Sequence, residues 1–89
     1  MKTKYLAILT IDTDNLPPNF QDIIKEEGEV VRKWKSEGIL DQLFLRPSRN
    51  GAVLIFNDID EHELHELMAT LPLFPLKKSI EYVPLLKQF

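Results

Sequence analysis

Apolar and polar positions alternate between two periods along this chain, and the changes of period mark its elements. Tyr5 to Ile11 is apolar and β-branched, bounded by the polar cluster Asp12–Asn15, and predicts a strand. Leu16-Pro17-Pro18-Asn19 imposes a loop, because each proline bars its predecessor from helical geometry. From Phe20 to Glu37 the period becomes helical, with Phe20, Ile23, Ile24, Val30, Val31 and Trp34 on one stripe. Gly38 stands where a left-handed helix terminator is wanted. Ile39–Arg46 and Ala52–Asn57 predict two further strands, joined through Asn50-Gly51, a pair suited to a hairpin turn. Asp60, with Glu63 three residues on, has the form of a capping box. It opens a helix to about Thr70 that turns Leu64, Leu67, Met68 and Leu71 inward. Leu71-Pro72-Leu73-Phe74-Pro75 stops that helix, and Ser79–Val83 predicts the last strand.

The resulting order, β-α-β-β-α-β, is that of ferredoxin-like α+β folds: a four-stranded antiparallel sheet with two helices on one face. The other sheet face is left bare, and on so small a domain a second copy is its simplest cover. Homo-oligomerisation is therefore expected from the architecture.

Within the first helix one residue is out of place. On a ~100° step from Phe20, Glu27 falls at about 340°, inside the apolar stripe, whereas Glu26 and Glu29 turn outward. Ionised carboxylates are seldom buried without a partner. Burial would raise the pKa of Glu27 towards the range useful for acid–base catalysis. Glu27 is thus either the partner of a basic group, or a rim residue, or a working group in a pocket. Gly28, costly in mid-helix, suggests that some group approaches the helix closely there. In the second strand, alternation puts Leu40, Gln42, Phe44 and Arg46 on one face and Ile39, Asp41, Leu43 and Leu45 on the other. The first set offers two polar handles, Gln42 and Arg46, for a small-molecule site beside Phe44; Leu43 and Leu45 are expected under the helices.

Composition narrows the chemistry. Eighty-nine residues, with 44% hydrophobic and 28% charged, make one ordinary globular domain spanning 1–89. Eleven basic against fourteen acidic residues give a net charge of −3, which argues against a nucleic-acid partner. No apolar run suits a membrane span and no signal pattern opens the chain, so a cytoplasmic protein is expected. Without cysteine there is no thiol nucleophile or thiolate metal site. His62 and His65 are three apart rather than the four of zinc-protease helices, and sit in a charged, solvated face; no metal is expected. The three glycines form no phosphate loop, and no serine has a nucleophile-elbow context.

The segment Leu71-Pro72-Leu73-Phe74-Pro75, between a helix and the last strand, resembles the Leu-Pro-Leu-Phe-Pro segment of muconolactone isomerases. The similarity extends back through Phe56, Leu43, Glu37-Gly38, Glu29 and Glu27, and covers residues 5 to 83. At Gln42 the chain departs from that family, which carries histidine there. The resemblance implies a dimeric α+β barrel subunit that associates into larger rings. It also implies cofactor-free isomerisation of a small unsaturated lactone or related carboxylate in aromatic-compound breakdown. Such chemistry moves one proton from carbon to carbon as a double bond shifts, and Glu27 is the expected proton carrier, with Gln42, Phe44 and Arg46 around the substrate. Two other expectations stay open: a non-catalytic small-molecule-binding or assembly module on the same fold, and a cofactor-independent oxygenase of small aromatics.

Overall fold

The computed structural model describes residues 3–48 and 50–88. Strand β1 (Thr3–Ile11) leads to helix α1 (Phe20–Ser36), strands β2 (Leu40–Leu45) and β3 (Gly51–Ile59), helix α2 (Glu61–Ala69), a single 3-10 turn (Phe74–Leu76) and strand β4 (Lys77–Leu85). The strands form one antiparallel sheet in the order β2-β3-β1-β4. This is the expected ferredoxin-like βαββαβ arrangement.

Alternation assigns the two sheet faces. Ala7 and Leu9 of β1 and Leu54 and Phe56 of β3 are buried, and they pack with Val31 and Trp34 of α1, Leu64 and Met68 of α2, and Leu71 and Leu73 beyond it. Trp34 and Phe56 set their rings 5.7 Å apart at 54°, an offset, tilted pair that fixes α1 over β3. On the opposite face the registered rows are Gln42–Ile55–Leu6–Val83 and Phe44–Val53–Ile8–Glu81. No helix among the described residues covers these rows, and Phe44 is 54% exposed.

Several local predictions hold for physical reasons that the structure makes visible. Gly38 ends α1 at φ +78°, a conformation an L side chain rarely adopts. Asp60 caps α2 through its carboxylate, which accepts the Glu63 N–H at 2.8 Å. His62 and His65 each bridge a glutamate one turn away, Glu66 at 2.8 Å and Glu61 at 3.8 Å, on the exposed face of α2.

Other expectations need correction. Strands β2 and β3 form the expected hairpin, but Gly51 is the first residue of β3 rather than part of the turn, and Arg49 of the expected connection lies outside the described residues. Glycine is required there by contact: a Cβ would lie 1.9 Å from the Leu9 carbonyl oxygen. A register shift between Leu40 and Gln42 breaks the alternation in β2, so Leu40 turns into the core while Gln42 and Phe44 face the uncovered side. Leu43 and Leu45 do point to the helical side, but β2 is an edge strand that runs past the shelter of α1, leaving them 38% and 79% exposed. Ile24, expected in the core, is 39% exposed, because the buried stripe of α1 is centred nearer Trp34. Strands β1, β3 and β4 are longer than expected by one or two residues at one or both ends, and β2 is one residue shorter at each end.

Candidate functional site

The backbone that precedes β4 meets Glu27 half-way along α1. After α2 ends at Ala69, Pro72 and Pro75 hold the chain in a tight turn that packs Leu73 beside Leu9 and Ile11. This turn presents the Leu73 N–H to α1, where the Glu27 Oε1 accepts it at 3.1 Å. Among the described residues no ion pair involves Glu27; it is half-buried, and its polar contact there is the Leu73 backbone N–H. Burial raises the pKa of its carboxyl above the ordinary glutamate value, and the Leu73 N–H only partly opposes that rise. Oε1 is engaged, while Oε2 makes no hydrogen bond among the described residues. A half-buried carboxyl with raised proton affinity and one oxygen not engaged is chemically suited to taking up and returning a proton.

The other three residues singled out from the sequence do not gather around Glu27. Gln42 and Phe44 lie on the uncovered sheet face, across the sheet from the turn at Leu73. Arg46, just beyond β2, donates from Nη1 to Thr10 Oγ1 at 2.9 Å, and its N–H bonds the Gly51 carbonyl at 3.1 Å. Thr10 pairs with Gly51 and Ser79, so Arg46 closes one end of the uncovered face. At the opposite end, Lys4 Nζ meets Asp41 Oδ2 at 3.0 Å and Asn57 Oδ1 at 3.3 Å. That contact holds the Asp41 carboxyl below the usual carboxylate range. The uncovered face is thus an apolar strip between two polar, hydrogen-bonded ends.

Two grooves open elsewhere on the surface. One lies between the α1–β2 turn and α2 and is bordered by Asn57, Asp58, Glu63 and Glu66. The second follows the seam of α1 with the edge strand β2, over Val31 and Leu40, and Gln42 reaches its rim. Sequence reasoning missed Arg32 on this seam. Its only signal was Gly28, and the group that approaches the helix at Gly28 is the guanidinium of Arg32, 3.2 Å from where a Cβ would stand. No helix among the described residues is long and apolar enough to cross a membrane.

Comparison with curated proteins yields no match. Among solved structures, a crystal structure of muconolactone isomerase superposes with a TM-score of 0.80, over 96% of this chain and 90% of that one, at 22% identity. That likeness concerns the fold. A sequence model of one family, described as muconolactone delta-isomerase, matches residues 5–88, nearly the whole length. The chain belongs to the muconolactone delta-isomerase family.

Proposed function

We propose that this protein is a cofactor-free isomerase that shifts a carbon–carbon double bond in a small unsaturated lactone or a related carboxylate, with Glu27 as the proton carrier. The observation that carries the proposal is the state of Glu27: half-buried, raised in proton affinity, and held by a single backbone N–H. Family membership supplies the reaction class, and the carboxyl supplies a group fit to perform it.

The step balances without any co-reactant. The Glu27 carboxylate takes a proton from the carbon attached at the far end of the carbonyl-conjugated double bond, and the C–H electron pair enters a dienolate. The neutral carboxylic acid then returns the proton to the carbon next to the carbonyl as the double bond settles in its new place. The Leu73 N–H holds one oxygen and leaves the proton transfers to the other, which limits the reorganisation needed between the two transfers.

Phe44, with Ile8, Val53 and Ile55 on the uncovered face, supports a homodimer rather than a substrate wall within one subunit. Arg46 then belongs to the border of that contact, bound to Thr10. A small metabolite as substrate agrees with a cytoplasmic setting.

The test is an ultraviolet assay of muconolactone isomerisation with wild type and Glu27→Gln in parallel, both checked for native circular dichroism. Turnover by the wild type with a loss of at least about a hundredfold in the variant is expected for a lost general base. Full activity in a folded Glu27→Gln variant would remove the assignment. Silence from a folded wild type would favour the non-catalytic module or another substrate.

A further inference from the structure

The seam between α1 and β2 is a second place where chemistry collects. Its groove has a volume of about 290 Å³, near the lower end for small-ligand sites. Val31 and Leu40 form a buried apolar floor, and Leu43 stands exposed as one wall. Arg32 and Lys35 line the other side. Among the described residues Arg32 has no ion-pair partner, and its guanidinium lies back against the glycine one turn earlier. Among the described residues Lys35 donates to the main-chain carbonyl of Asp41, and its charge adds to that of Lys4 on the Asp41 carboxylate. The carboxylate of Asp41, the one acid in the groove, is already neutralised by Lys4 from across the sheet. In a protein of net charge −3 the groove is therefore a local concentration of positive charge over an apolar floor.

From the unpaired Arg32 guanidinium beside Lys35 and the apolar floor of Val31 and Leu40, we infer that this groove binds a small organic carboxylate with a flat apolar body. The carboxylate would meet the fork of Arg32, whose planar donors match its two oxygens, while the body covers Val31, Leu40 and Leu43. Gly28 serves this arrangement by leaving the helix surface open for the guanidinium. Glu27 does not line this groove: it lies one turn before Val31 on α1, and its carboxyl meets the backbone at Leu73.

Benzoate is a suitable probe, followed through backbone amide shifts by NMR and compared with benzamide and with inorganic phosphate. Saturable benzoate shifts are expected at Val31, Arg32, Lys35 and Leu43. Benzamide, which lacks the charge, and phosphate, which lacks the apolar body, should bind about tenfold more weakly or worse. Arg32 is exposed and unpartnered, so Arg32→Gln should fold normally and weaken benzoate by about tenfold. Glu27→Gln should leave benzoate affinity unchanged. Shifts confined to Glu27 and Leu73, equal binding by phosphate, or undiminished binding by folded Arg32→Gln would each overturn the site.

Discussion

Glu27 sits between two opposing influences, burial that favours its neutral acid and a backbone N–H that favours its carboxylate, and burial is the larger. The consequence for stability has a definite sign. A carboxyl whose pKa is raised on folding binds protons more tightly in the native state, so its contribution is most favourable at low pH. That contribution is lost as pH rises from the ordinary carboxylate range through the raised native value. Glu27→Gln keeps an acceptor for the Leu73 N–H and removes the charge, so it should match or slightly exceed wild-type stability at pH 7 and abolish this slope. Glu27→Ala leaves the Leu73 N–H without its partner and should cost about 1 kcal/mol. Urea unfolding of the three proteins at pH 5 and pH 7.5 checks both statements. Strong destabilisation by Glu27→Gln would instead make the carboxylate a structural anchor.

At the scale of elements, two glycines that look alike in the sequence do different work. Gly38 is needed for its backbone: at φ +78°, with nothing within 4 Å of a built Cβ, Gly38→Ala should cost about 1 kcal/mol through strain alone. Gly51 is needed for its size. A methyl group there would meet the Leu9 carbonyl oxygen, and Gly51→Ala should cost about 3 kcal/mol and loosen the β1–β3 pairing. Thermal unfolding of both variants separates strain from collision by magnitude. Asp60→Ala, removing the cap from the Glu63 N–H, should cost about 1 kcal/mol.

These elements also show what was legible beforehand. Order and type of all six main elements follow from period and punctuation, because Pro17, Pro18, Gly38 and Pro72 leave the chain few alternatives. Glu27 was legible because the helical period is regular enough to expose one charge on an apolar stripe. The grouping of Leu40 with Gln42 and Phe44 failed because a register shift is set by pairing with β3, which one strand's own pattern does not contain. Leu45 was misplaced for a similar reason, since where an edge strand outruns its helix depends on the whole packing. Arg32 escaped notice because an exposed arginine has no pattern until its neighbours are known.

The whole molecule carries an imbalance that one subunit does not resolve. Its helical side is packed around Trp34, Phe56 and Met68, while the other sheet face exposes Phe44 and Val83 among partly buried Leu6, Ile8, Val53 and Ile55. Such a face predicts self-association, and Phe44→Glu, placing a charge at its centre row, should shift light scattering towards the monomer while leaving the subunit folded. A wild type that stays monomeric at high concentration would contradict that account. Glu27, beside Leu73, belongs to the helical side and not to this face.

The central claim is that Glu27 is the group that carries the proton, and the pH dependence of kcat/KM for muconolactone isomerisation tests it most directly when laid over the 13C titration of the Glu27 side-chain carboxyl. The account predicts an acid limb with its midpoint above the ordinary glutamate value, coincident with the titration of that carboxyl. An acid limb that falls elsewhere, with Glu27 titrating as an ordinary surface carboxylate, would contradict it.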